Sequence, residues 1–197
     1  GFPTIEDGGN CVSEIIASGI IPSGMEMMDK ALIHATDNFV KAGYPRNAES
    51  MLIVELDGTE REVEELIDRV SQIAKKNKSS SIKISKNEKQ RLKFWAGRKA
   101  AFPACGDMAP DYYCMDGTIP RRKLAEVLKE IGRLSKKYKL PVANAFHAGD
   151  GNLHPLIMYD ANEKNSLEKT EKFGAEILKY CVKVGGVLTG EHGVGVE

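Results

Sequence analysis

The sequence predicts an α+β fold, a mainly antiparallel sheet with its helices on one face. Three observations carry this expectation. "MLIVEL", starting at Met51, is a strand-sized apolar run that passes through "DGT" into apolar residues at helical spacing. "DYYCMDGTIP" shows the same order again, a strand, then Asp-Gly-Thr, then a helix. Finally, "LPVANAF" and "LHPLIMY" flank Asp150-Gly151, a dipeptide that strongly signals a hairpin between two strands.

Taken in order, residues 10–18 and 24–40 read as helices, followed by a loop at "AGYPRN". After the Met51 strand, Val63, Leu66, Ile67, Val70, Ile73 and Ala74 form one apolar face of a helix, and Thr59 with Glu62 fits a capping box at its start. A solvated lysine and serine run over 75–81 leads to "SIKIS", which alternates like a half-buried strand. Around Trp95 and Arg98 lies a helix that Pro103 should stop. Pro120 suits the first turn of the next helix, whose apolar face is Leu124, Val127, Leu128, Ile131, Leu134 and Tyr138. A last helix carries Leu167, Phe173, Ile177 and Cys181 and ends at Gly185-Gly186. The strand-helix-strand pattern fits a ferredoxin-like arrangement. The two Asp-Gly-Thr triplets, Asp57-Gly58-Thr59 and Asp116-Gly117-Thr118, suggest a duplicated unit, although Asp-Gly turns are common.

At 197 residues the chain can bury a sizeable core. Lysine plus arginine equals aspartate plus glutamate at 28 each, so no net field favours nucleic acid or an anionic membrane. No apolar run approaches the roughly 18 residues of a membrane span. Cys11, Cys105, Cys114 and Cys181 show no C-x-x-C spacing, which argues against a zinc ribbon, an iron–sulfur site or a redox pair. Reduced thiols in a cytoplasmic protein are expected. No signal peptide is recognisable, and a start at Gly1 with a glycine-rich close, "GEHGVGVE", reads as a piece of a longer protein.

The chemistry concentrates in "NAFHAGDGNLHPLIMYD". A two-residue turn at Asp150-Gly151 pairs His147 with His154 directly across the hairpin, with Cβ atoms about 4.5–5.5 Å apart. That separation suits chelation, but two histidines packed beside a turn would look the same. A catalytic zinc usually takes three protein ligands, so a third is required. Glu191 in "TGEHG" is the best candidate, because glycines on both sides allow close backbone approach.

"HAGDGNLHP" followed by "GGVLTGEHGVG" resembles the C-terminal, substrate-side domain of the flavin-linked D-2-hydroxy acid dehydrogenases, a group that includes the glycolate oxidase flavin subunit and D-lactate dehydrogenase. "GIIPSGMEMMD" and "FWAGRKAAFPA" extend the resemblance over residues 1–197. It implies that His147, His154 and Glu191 bind a divalent metal, that His192 is the catalytic base at the flavin, that Asn152 touches the substrate, and that Arg98 anchors its carboxylate. Arginine suits that role because its guanidinium binds carboxylates bidentately. Two imidazoles and a carboxylate suit zinc, iron or manganese. The resemblance further implies FAD, held by an N-terminal domain that this sequence lacks, and an iron–sulfur subunit or electron-transfer flavoprotein as partner, with peripheral membrane association through that subunit. Set against that family, the sequence is expected to begin after the first strand of such a domain and to end before its final helix, so alone it should not catalyse. Phe102 and Cys114 stand where relatives acting on larger diacids place polar residues, which favours a small substrate such as D-lactate or glycolate.

A different class of function fits the strand-helix-strand pattern: a ferredoxin-like regulatory module that binds a small ligand and needs neither histidine. A dinucleotide-binding reading of "GEHGVGVE" fails because its glycines open no visible helix. His34, in "ALIHATDNF", belongs to a helix rather than to the site.

Overall fold

The structure, a computed structural model, describes residues 1–195. Helix α1 (Ile5–Ala17) begins where the Thr4 hydroxyl accepts from the Asp7 N–H, and it packs Cys11, Val12 and Ile15 inward. Strand β1 (Gly24–Asp29) follows, then helix α2 (Lys30–Val40). Residues 24–29 were expected to be helical, and they are a strand. Methionine favours helices, which makes "GMEMMD" misleading. The helix starts late because the Asp29 carboxylate caps it, accepting from the Leu32 N–H at 3.0 Å. Strand β2 (Ser50–Glu55) and helix α3 (Glu60–Lys76) appear as predicted, with both halves of the Thr59–Glu62 capping box formed.

"SIKIS" forms no regular secondary structure and joins no ladder among the described residues, and Ile82 and Ile84 are exposed. Between it and β2 lies an apolar cleft of about 420 Å³, lined in part by Leu52, Val54, Val70, Ile82 and Trp95. Phe2 bridges to Ser50 at one end of β2, its N–H donating to the Ser50 carbonyl at 2.8 Å. By the alternation of an antiparallel ladder, the N–H and C=O groups of Leu52 and Val54 face the same way, and no described residue pairs with them there.

Helix α4 (Glu88–Lys99) breaks at Ala100, before Pro103, and α5 (Ala101–Cys105) restarts with Pro103 in its first turn, where no hydrogen bond is lost. Strands β3 (Asp111–Cys114) and β4 (Gly117–Thr118), a short 3₁₀ turn over Arg121–Lys123, and α6 (Leu124–Tyr138) come next, then β5 (Val142–His147), β6 (Asn152–Tyr159) and α7 (Ser166–Lys183). The Asp-Gly-Thr triplets do different work: Gly58 makes a positive-φ turn, whereas Gly117-Thr118 continues a strand. Nothing in these two geometries supports a duplication.

The strands pair antiparallel in the order β2-β1-β5-β6-β3, with β4 also on β6. The α+β, antiparallel reading therefore holds. Placing the helices on one face does not. Met27, Phe146 and Leu153 point into a core shared with α1, α6 and α7, while Met28, Ala145 and Leu156 point into a second core with α2 and α5. Helices cover both faces, so most strand residues are buried and the alternation that betrays a half-exposed strand disappears. No helix of the described residues is long and apolar enough to cross a membrane. All four cysteines are free, and three of them are buried.

Candidate functional site

The site lies at the sheet end of the second core, and the hairpin places its first two side chains. The register differs from the expected one. His147 pairs with Asn152 and Ala145 with His154, so four residues, 148–151, make the connection rather than two. Asp150 does not take the positive φ that a two-residue type I′ turn needs; Gly151 does, at 76°. The N–H groups of Asp150 and Gly151 both donate to the His147 carbonyl, and a side chain on Gly151 would overlap the Ile119 carbonyl. A shift of two residues keeps every side chain on its face. The histidines remain neighbours, set diagonally, with ring centroids 5.2 Å apart and nearly perpendicular planes.

The second contribution arrives after α7. Gly185 turns the chain at φ 92°, and Val187 exchanges two hydrogen bonds with Thr118, which carries 189–193 back over the hairpin. Asp116 then fixes this loop. Its Oδ2 accepts from the Thr189 hydroxyl at 2.6 Å and from the N–H groups of Gly190, Glu191 and His192 at 2.9, 2.8 and 2.7 Å. Its Oδ1 accepts from Asn152 Nδ2 at 2.7 Å. Burial works against the charge on Asp116, but the hydrogen bonds from Thr189, Asn152 and the loop N–H groups outweigh it and hold the carboxyl well below its usual range.

So held, the Glu191 carboxylate bridges the histidines. Oε1 lies 3.2 Å from His147 Nε2, and Oε2 lies 3.5 Å from His154 Nε2. His192 stacks on His154 with centroids 4.8 Å apart, its Nε2 3.8 Å from Glu191 Oε2. His154 is buried, Glu191 and His192 are exposed, and His147 lies between. On the far side, Glu26 accepts from His147 Nδ1 at 2.7 Å and from Arg98 Nε at 2.8 Å.

These environments set the imidazoles apart. The hydrogen bond to Glu26 raises the His147 pKa against the effect of burial. Burial, then the neighbouring His147, lowers that of His154. The His154 Nδ1 is buried without a well-formed hydrogen bond among the described residues; the Met115 backbone and Asp116 Oδ1, 3.8 Å away, face it.

The donor set fits a divalent metal. The ligand atoms of His147, His154 and Glu191 all lie within 4.8 Å of one another. Ligands held at about 2.0–2.1 Å in a tetrahedron stand roughly 3.3 Å apart, close to the two Glu191–histidine distances. The His147–Glu26 hydrogen bond leaves Nε2 as the coordinating atom, an arrangement typical of metal-bound histidine. Cys114, His154 and His192 form a second grouping of the same size. Burial, with Asp116 nearby, pushes the Cys114 thiol up to about 12, so a metal there would have to displace a tightly held proton.

All six residues singled out from the sequence converge here. Asn152 is buried, its Nδ2 spent on Asp116 and its Oδ1 unpartnered among the described residues. Arg98 is buried beside Glu26. His34 lies elsewhere, its Nε2 2.7 Å from the Arg46 carbonyl. Two residues were missed, Glu26 and Asp116. Glu26 had left a signal, a lone charge within "GMEMMD". Asp116 was hidden by its resemblance to a turn.

Comparison with known proteins bears on what such a site serves. The family described as FAD linked oxidases, C-terminal domain, matches residues 1–197. "Glycolate oxidase subunit GlcD" of Escherichia coli (strain K12) is 54% identical over 196 residues, covering 100% of this chain and 39% of the relative. "D-lactate dehydrogenase [cytochrome], mitochondrial" of Arabidopsis thaliana is 31% identical over 196 residues, covering 98% of this chain and 34% of the relative. The chain thus spans under half the length of these relatives. Among solved structures, 4-ethylphenol oxidase from Gulosibacter chungangensis superposes with a TM-score of 0.63 at 11% identity, over 95% of this chain and 44% of that one, a likeness of fold.

Proposed function

Because the chain belongs to the family of FAD-linked oxidases, C-terminal domain, we propose that it is the substrate-side domain of a flavin-dependent oxidoreductase that converts a small D-2-hydroxy acid to its 2-keto acid. The observation that carries the reading is the Glu191 carboxylate poised between His147 and His154 at 3.2 and 3.5 Å. The names of the relatives, glycolate oxidase subunit and D-lactate dehydrogenase, support the substrate class.

His147, His154 and Glu191 would hold the metal, with zinc, iron and manganese all compatible with this donor set. Once bound, it would lower the pKa of the substrate hydroxyl and orient the α-carbon. Arg98 binds the substrate carboxylate, and Asn152 touches the substrate. His192, exposed and stacked on His154, takes the hydroxyl proton as the α-hydrogen leaves with its electron pair. FAD, which a domain outside this chain would hold, would supply the hydride-accepting chemistry there. Each substrate molecule so loses one proton and one hydride. Cys114 faces His154 and His192, and Phe102 packs near Tyr112, so neither offers a second carboxylate a partner. Glycolate or D-lactate fits best. The word "subunit" in the name of the Escherichia coli relative supports assembly with further subunits; the partner proposed for this protein is an iron–sulfur subunit or electron-transfer flavoprotein.

The test is the metal content of the purified chain, with and without added zinc, manganese or iron, beside a His147→Ala, His154→Ala double variant. About one equivalent in the parent and none in the variant is expected. A parent that takes up no metal would overturn the metal centre.

A further inference from the structure

Glu26 is a buried carboxylate between Met25 and Met27, and burying an ionised carboxylate is costly unless partners meet both of its oxygens. Both are met. Oε1 accepts from the His147 Nδ1–H and Oε2 accepts from the Arg98 Nε–H. We propose that Glu26 is a positioning residue that sets the metal-ligating atom of His147 and the substrate-binding guanidinium of Arg98 relative to each other. The inference rests on the roles of His147 and Arg98 proposed above.

Backbone pairing supplies half of this arrangement, since Glu26 and His147 are direct cross-strand partners in the β1–β5 ladder. Helix packing supplies the other half. The Arg98 N–H donates to the Tyr44 hydroxyl, which itself donates to the Phe94 carbonyl, so α4 is fixed where the Arg98 side chain reaches Glu26. With its Nδ1–H donating to Glu26, His147 presents the Nε2 lone pair toward Glu191. The same carboxylate fixes the plane of the Arg98 guanidinium. A disturbance at Glu26 reaches both groups at once, which separates it from a partner that orients a single ligand.

The chemistry of the pair dictates the test. Both partners are donors, so two acceptor oxygens are required; glutamine offers one acceptor and one donor and can satisfy only one of them. In Glu26→Gln, zinc titrated into the chain should bind about 10–100-fold more weakly than in the parent. The ¹⁵N shifts of the His147 ring should move from a pure Nδ1–H tautomer to a mixture. Glu26→Asp keeps both oxygens and should restore the tautomer at least in part. In the longer flavoprotein, Glu26→Gln should raise KM for the 2-hydroxy acid, because Arg98 has lost its orientation.

Zinc affinity within about threefold of the parent, together with an unchanged His147 tautomer, would overturn the proposal whatever happens to thermal stability. A lower melting temperature with neither spectroscopic nor affinity change would assign Glu26 a structural role only, and would overturn it too. If the parent itself binds no zinc, the metal centre fails, and the tautomer in Glu26→Gln still decides whether Glu26 orients His147.

Discussion

Replacing Asp116 by asparagine tests the anchor of the loop that carries Glu191 and His192. Four donors converge on Asp116 Oδ2. A hydrogen bond to a charged acceptor contributes about 1.5–3 kcal/mol and one to a neutral acceptor about 1, so neutralising the acceptor costs at least about 0.5–1 kcal/mol per bond. Four such losses give about 2–4 kcal/mol. Water reaches the exposed Glu191 and His192 and recovers part of this, leaving about 2 kcal/mol, or roughly a 30-fold rise in the loop-opening equilibrium. The introduced amide also meets the Asn152 Nδ2 donor if it keeps its oxygen on the loop. Amide hydrogen exchange at Gly190, Glu191 and His192 reads the effect directly. Exchange within about threefold of the parent would refute Asp116 as the anchor. The pH dependence has a fixed sign. The folded carboxyl titrates below the ordinary 3.8, so the contribution is present above that value and disappears as pH falls through the lower folded one. Loop protection should therefore survive at about pH 5 and fail only in stronger acid.

Two further outcomes follow from the same geometry. Asp29 is fully buried on the second core, where desolvation raises it from 3.8 to about 6 even though Leu32 and Asn144 donate to it. A raised folded value means stability present below 3.8 and lost as pH rises through 6, up to about 3 kcal/mol. Asp29→Asn, which can still cap α2, should flatten that loss, and urea melts at pH 5 and pH 8 compare the two; equal pH dependence would refute the assignment. At Gly190 a Cβ would overlap Asn152 Nδ2 and Thr118 Oγ1, so Gly190→Ala should lift the loop without touching a ligand. Zinc affinity should fall about tenfold or more, and unaltered affinity would show that the loop tolerates the displacement.

The parts of this protein legible in the sequence are those with one wet face. α3 and α6 kept their apolar stripes, and the Thr59–Glu62 box marked a helix start that the structure confirms. β1 was misread because both of its faces are covered, leaving a run of methionines with no alternation to separate strand from helix. The hairpin was read in the right place with the wrong register, since Asp150-Gly151 sits at the end of a four-residue connection. The site survived that error because a two-residue shift leaves His147 and His154 on one face. Glu26, despite its lone charge within "GMEMMD", and Asp116 were missed for another reason. Each matters through partners distant in sequence, His147 and Arg98 for one and the 189–192 loop for the other, and only the fold brings those together.

The open side of β2 has a practical consequence. Its backbone groups at Leu52 and Val54, unpaired among the described residues, border an apolar cleft, and an open strand edge beside a greasy surface is a template for another strand. At high protein concentration a second molecule supplies one, so the isolated chain should be prone to edge-to-edge association. Lysine substitution at exposed Ile82 or Ile84, on the rim of that cleft, would discourage such contacts by charge while leaving the histidine end of the sheet untouched.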